Sequence, residues 1–181
     1  MPDAPCTITD DSTGGDCQYI GTWDSGTKTC TLTGDVTADL SDGIIIGSDG
    51  ITLQGGGGGN SPITNIIGPT FGTTYGIKID GKSNITIKDL NLQNFEYGIK
   101  ATNVNTLTLE NVVNSGGQRA VDFLIENSNG IVFDNLNPNT SSEFQILNSQ
   151  NIVMKNNQYN YGGKIIIEQS DNIEIKDNAH I

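Results

Sequence analysis

The sequence predicts an all-β chain, a parallel β-helix in which one polypeptide winds as a solenoid of about eight coils. Three observations carry this. The first is a four-residue motif: CTIT at Cys6, CTLT at Cys30, ITLQ at Ile51, ITIK at Ile85, LTLE at Leu107, IVFD at Ile131, IVMK at Ile152 and IEIK at Ile173. The second is its spacing, with starts 24, 21, 34, 22, 24, 21 and 21 residues apart. A period just over 20 residues marks a repeat architecture built from short units. The third is alternation. In each copy the first and third residues are apolar or Cys and the second and fourth are mostly polar, which puts one face in and one face out.

The coil follows from aligning the copies. Four residues before the motif stand Gly26, Gly47, Gly81, Asn103, Asn127, Asn148 and Gln169. Gly and Asn accept a left-handed turn at little cost, so this column is a stacked turn. Four residues after the motif start stand Asp10, Gly34, Gly55, Asp89, Asn111, Asn135, Asn156 and Asp177, a second turn column whose amides can bond along the axis. Eight residues before the motif, Ile77, Ile99, Phe123, Phe144 and Ile165 begin a second strand, continued inward by Ile79, Ala101, Ile125, Ile146 and Ile167. Earlier coils blur, with Trp23 and Ile44 one residue out of step. A looser third side runs through Leu92 and Phe95, or Gln158 to Tyr161. Each strand is expected to pair in parallel with its equivalent one coil on, about 4.8 Å away.

At 181 residues this is one domain. Residues 1–42 read as acidic, Cys-containing N-terminal coils, and 43–181 as regular coils with a Gly-rich loop over about 55–75. Hydrophobic content is only 34%, enough for a solenoid because each coil buries a narrow interior. The net charge of −12 argues against nucleic acid, whose phosphates need Lys and Arg. No apolar run is long enough for a membrane-spanning helix, so membrane insertion is not expected. Residues 1–50 hold nine Asp and one Lys. Their carboxylates are hard ligands of the kind calcium takes, which makes Asp10, Asp11, Asp16 and Asp35, Asp39, Asp42 the calcium candidates beside a plain acidic, solvated end. No other cofactor is implied.

Cys6 and Cys30 hold the same motif position in consecutive coils, a spacing that suits a disulfide, while Cys17 in the loop between them is able to pair with either. Three cysteines leave one thiol over. A disulfide points to an oxidising, extracellular location.

The pattern N-S-x-N-I-x-I-x-[ND]-N, as in Asn148 to Asn157 and partly in Asn127 to Asn135, resembles the β-helix repeat of the pectate-lyase-like superfamily. The resemblance spans residues 6–181 and implies a right-handed parallel β-helix. It does not fix a function, because that superfamily holds lyases, hydrolases, epimerases, tailspikes, adhesins and surface proteins. The Asn-Thr-Asp, Asp-Asp, Gly-His-Gly and Arg-Ile-Lys set of its polygalacturonase-like members is absent as a set: Asp10-Asp11 stands alone. The Asp-Pro-His-Glu motif of epimerase-like members is absent too.

Counting along the strand places Asp122 and Glu143 in one outward column, one rung apart, with Lys164 one rung beyond and Arg119 nearby. Lys78 and Lys100 form a neighbouring outward column. These six residues are the candidate carbohydrate contacts, set against the plain alternative of an ordinary charged solenoid face. His180 is a tail residue. Thr7, Thr31, Thr52, Thr86 and Thr108 form an outward column that strand propensity explains. Two sequons, at Asn84 and Asn139, are N-glycosylation acceptors, with Asn139 the better because Asn84 abuts a strand. No C-terminal cap is recognisable. The last rung is therefore expected to pair head to tail with another copy, giving filaments, or to continue into a longer parent chain. Together these readings give an extracellular or cell-surface structural or adhesive module, without a catalytic set. The alternative is a polysaccharide-binding or polysaccharide-cleaving one.

Overall fold

The computed structural model describes residues 5–39, 41–56, 64–69, 74–115, 121–136, 143–159 and 163–180. They form a parallel β-solenoid of about six turns. The first sheet runs β1 (Cys6–Ile8), β5 (Ile44–Ile46), β8 (Tyr75–Asp80), β10 (Tyr97–Thr102), β12 (Val121–Glu126), β14 (Glu143–Leu147) and β17 (Lys164–Glu168). The second runs β2 (Gly21–Asp24), β3 (Thr29–Leu32), β6 (Thr52–Gln54), β9 (Ser83–Gln93), β11 (Asn105–Asn114), β13 (Asn129–Asp134), β15 (Gln150–Lys155) and β18 (Asp171–Lys176). The third side is made by β4 (Val36–Thr37), β7 (Thr64–Ile67) and the ends of β9 and β11, and farther up by β16 (Gln158–Tyr159) and β19 (Ala179–His180).

The core is a set of stacked inward columns. Ile44, Ile77, Ile99, Phe123 and Phe144 are in register on the first sheet, and Ile85, Leu107, Ile131 and Ile152 on the second, all buried. Phe123, Phe133, Phe144 and Tyr159 meet with ring centroids 4.8–5.7 Å apart, filling the upper interior. Each buried side chain of this size is worth about 1.5–3 kcal/mol, offsetting the chain entropy of its rung.

The solenoid has about six turns rather than eight, and two N-terminal motifs stand elsewhere than predicted. Cys6 pairs Ile44 in the first sheet, not the second. Cys30 pairs Leu53, two residues beyond the predicted register. Of the pairings left open, Cys6–Cys30 does not form, since the two lie in different sheets. Cys17 and Cys30 are joined instead, and Cys6 is a free buried thiol. Burial pushes the Cys6 thiol up, with Asp16 adding to the effect.

Corners carry the winding. The first predicted turn column is left-handed at Gly81, Asn103, Asn127, Asn148 and Gln169, and the second at Asp89, Asn111, Asn135, Asn156 and Asp177. Gly26, Gly47, Asp10, Gly34 and Gly55 do not share that conformation, so both columns begin later than predicted. A third left-handed column went unread: Gly50, Asn84, Thr106, Gly130, Asn151 and Asn172. Amides bond along the axis beside it, from Asn129 to Asn105 at 3.0 Å, from Asn151 to Asn129 at 2.6 Å and from Asn172 to Asn151. A second ladder is internal. The Leu136 N–H donates to Asn157 Oδ1 at 2.8 Å, and the Asn157 N–H donates to Asn178 Oδ1 at 2.8 Å.

At the N-terminal end the first-sheet edge is occupied, which strict parallel repetition did not predict. β2 runs antiparallel to β3, and a single-turn helix, α1 (Cys17–Ile20), precedes it. On the outer edge of β1 the Thr7 N–H donates to Asp16 Oδ2 at 2.8 Å, and the Thr7 carbonyl accepts from the Asp16 N–H at 2.9 Å. Thr9 N–H donates to the Gly14 carbonyl. An edge strand with its groups so occupied offers no template. The predicted Gly-rich loop also contains structure: β7 pairs with both β4 and β9.

Candidate functional site

The outward face of the first sheet carries the most chemistry. Tyr75 and Tyr97 are in register on β8 and β10 with ring centroids 5.1 Å apart. Lys78 and Lys100 are in register three residues on, and their ammonium groups stand 5.9 and 5.5 Å from the Tyr75 ring centroid. A cation over an aromatic ring is attracted by its quadrupole. Lys100 also reaches Glu126 at 3.3 Å. Along the same corner column Tyr97 pairs Val121, Val121 pairs Glu143, and Glu143 pairs Lys164. Glu143 accepts a hydrogen bond from Gln145 at 2.7 Å.

The predicted pairs Lys78/Lys100 and Glu143/Lys164 are therefore true neighbours. Asp122 is not outward. It is 3% exposed and accepts from Asn114 Nδ2 at 2.5 Å inside the solenoid, because β12 carries one more residue than β14 at this point. Arg119 and Asn139 lie outside the described residues. Asn84 is exposed at a left-handed corner of β9 rather than held in a flat strand. The Thr column is also re-registered: Thr29, not Thr31, leads into Thr52, Thr86 and Thr108.

The tyrosines were missed, though the sequence held their signal. Tyr-Gly-Ile-Lys occurs twice, at 75–78 and 97–100, one coil apart. Repetition of outward residues costs the fold nothing to abandon, so its presence is informative where inward repetition is not.

Most of the N-terminal carboxylates are taken up by local hydrogen bonds or an ion pair. Asp11 accepts from Thr9, Thr13 and the Gly15 N–H, which hold its carboxyl well below the usual range, Gly15 foremost. Asp35 accepts from Asn65, whose backbone N–H lowers it, and Asp42 from the Tyr75 N–H at 2.9 Å. Asp10 pairs with Lys28 at 2.5 Å, Asp16 serves Thr7, and Asp39 is exposed. Among the described residues no group of three or more His, Cys, Asp or Glu is placed to hold a metal ion. Among them, too, no helix is long and apolar enough to cross a membrane.

No family model and no curated protein matches the chain. Among solved structures it is similar to a Parabacteroides merdae protein named a "putative glycosyl hydrolase". The TM-score is 0.63 at 11% identity, covering 91% of this chain and 86% of that one. At that identity the likeness is one of fold: a parallel β-helix.

Proposed function

We propose that this chain is an extracellular β-helix module that binds an acidic polysaccharide along the outward face of its first sheet, as a surface or adhesive element rather than a catalyst. The observation that carries the reading is the Tyr75–Tyr97 stack with Lys78 and Lys100 beside it. Rungs repeating every ~4.8 Å set phenols and ammonium groups at regular intervals, a spacing suited to an extended polymer. Lysines supply point charges for sugar carboxylates and phenols supply hydrogen bonds and apolar edges. The carboxylates nearby, Glu126 and Glu143, are engaged by Lys100 and Gln145, which favours holding over cleaving. The Cys17–Cys30 disulfide supports an oxidising location. A carbohydrate ligand also agrees with the name of the Parabacteroides merdae protein of similar fold.

The test is calorimetry with polygalacturonate, using parent and Lys78→Ala/Lys100→Ala. Loss of two partly exposed cations is expected to weaken binding by about tenfold or more, with binding falling as salt rises. A parent that binds no acidic glycan ends the proposal.

A second reading is that the rung carrying Ile165 and Ile175 is covered, by another copy of the chain or by a longer parent chain. Ile165 and Ile175 stand in inward columns yet are 38% and 53% exposed. Because the outer edge of β1 is already paired, another copy would meet this rung with its own equivalent rather than head to tail. Light scattering of parent and Ile175→Lys decides between the two, since a monomeric parent removes the second copy.

A further inference from the structure

We infer that the lysine pair on this face seats a single carboxylate, so that the module selects glycans in which uncharged sugars flank each acidic one over polymers charged at every residue. The inference rests on the function proposed above. Lys78 and Lys100 come from neighbouring rungs, yet both ammonium groups converge on one ring, 5.9 and 5.5 Å from the Tyr75 centroid. Two cations gathered at one ring repel each other, and a carboxylate between them, with an oxygen for each, relieves that repulsion. Lys100 shows that a carboxylate fits here, since Glu126 reaches it at 3.3 Å. The side chains of that pair are 26% and 29% exposed. A surface pair of this kind is worth little and is readily exchanged for the carboxylate of a ligand. Lys78 makes no ion pair among the described residues.

The seat is an island. In its own outward column it is bounded by apolar side chains, Ile45 in register below Lys78 and Leu124 in register above Lys100. Around it, each direction leads to an acid. Asp42 lies below, its Oδ1 accepting from the Tyr75 N–H at 2.9 Å. Asp80 is exposed at the end of β8, two residues beyond Lys78. Glu126 is in register with Thr102, one rung up, and Glu143 with Val121, two rungs above Tyr97. On the remaining side Glu96 directly precedes Tyr97. The next cation of this sheet, Lys164, stands a rung beyond Glu143. The chain as a whole carries a net charge of −12.

A polymer charged at every residue that leaves the seat along the axis or along the strands sets its next carboxylate against one of these acids. Like charges so juxtaposed oppose binding. An uncharged sugar meets no such penalty. It finds instead the stacked rings of Tyr75 and Tyr97, which offer apolar surface and hydroxyls, and the half-buried Ile45 and Val121. Affinity thus comes from the lysines within the seat, and specificity from the acids around it, which act by repelling the wrong ligand.

The test is calorimetry with polygalacturonate and with the same polymer after partial reduction of its carboxyls to alcohols, affinities being counted per remaining carboxylate. Parent is expected to bind the partly reduced polymer about threefold or more tighter than polygalacturonate. Asp80→Asn/Glu143→Gln keeps the acceptors that Asn103 and Gln145 use while removing two of the surrounding charges. This variant is expected to bind polygalacturonate more tightly than parent does and to lose most of the preference. A smaller preference in parent, or none, overturns the inference and leaves the proposed function standing. So does a double variant that keeps the parent preference, because the surrounding acids would then not be its source. If a fully reduced polymer binds as well as polygalacturonate, or if parent binds no acidic glycan, both readings fall.

Discussion

Replacing Asn157 with leucine separates the two amide ladders of this solenoid by their energetics. Asn157 is fully buried. Its Oδ1 accepts from the Leu136 N–H at 2.8 Å and its Nδ2 donates to the Phe133 carbonyl at 3.2 Å. Leucine removes both bonds and strands two buried backbone groups, at about 1–3 kcal/mol each. The added apolar surface returns about 1–2 kcal/mol. The net loss centres on about 2–3 kcal/mol, sizeable against the ~5–15 kcal/mol that holds an ordinary domain together. Asn151 is the control. It bonds Asn129 at 2.6 Å and Asn172 in the same ladder fashion, but on the exposed corner, where water replaces the lost partner. Asn151→Gly, which keeps the left-handed corner, is expected to cost less than about 1 kcal/mol. Urea unfolding followed by circular dichroism reads both as shifts in midpoint at constant slope. Equal shifts for the two variants would refute the reasoning, because burial would then not be what gives an amide ladder its value.

Phe144→Ala opens the aromatic cluster against Phe123, Phe133 and Tyr159 and is expected to cost about 3–5 kcal/mol in the same assay. Reducing Cys17–Cys30, 13 residues apart, is expected to cost about 2–4 kcal/mol. Before reduction, Ellman's reagent should find no reactive thiol in the native protein and one, Cys6, after unfolding, since burial raises its pKa. Acid should weaken the N-terminal rungs. Hydrogen bonds depress the carboxyls of Asp11, Asp24 and Asp35 in the folded state, so their contribution is present above the unfolded value of about 3.9 and drains away as pH falls through the folded ones. Urea midpoints are therefore expected to be flat from about pH 7 to 5 and to decline below about 4, and a rise on acidification would contradict this.

The inward columns were legible because burial enforces alternation. Ile85, Leu107, Ile131 and Ile152 announce themselves by spacing alone, and so do the Asn corners, which few other residues tolerate. The first 50 residues were misread for the opposite reason. An antiparallel strand, a single helical turn and a disulfide relax the period there, and two motifs of the right composition fell in the wrong sheet or register. Asp122 was misplaced by counting: alternation was assumed through a position where β12 carries one residue more than its neighbour. Charge made it look outward, and only the coincidence with Asn114 shows why it is not. The candidate face was half visible. Lys78 and Lys100 were placed correctly, while the Tyr-Gly-Ile-Lys repetition that adds the tyrosines went unread.

The occupied edge of β1 belongs to residues made before the rungs that stack on it. The loop that occupies Thr7, the α1 turn and the Cys17–Cys30 bridge all lie within the first 30 residues of this sequence. A growing chain thus acquires its stopper before its rungs. Each later turn arrives against an edge that is already ordered. Translation order and stacking order coincide, and the exposed edge that endangers a half-made β-protein is confined to one moving front.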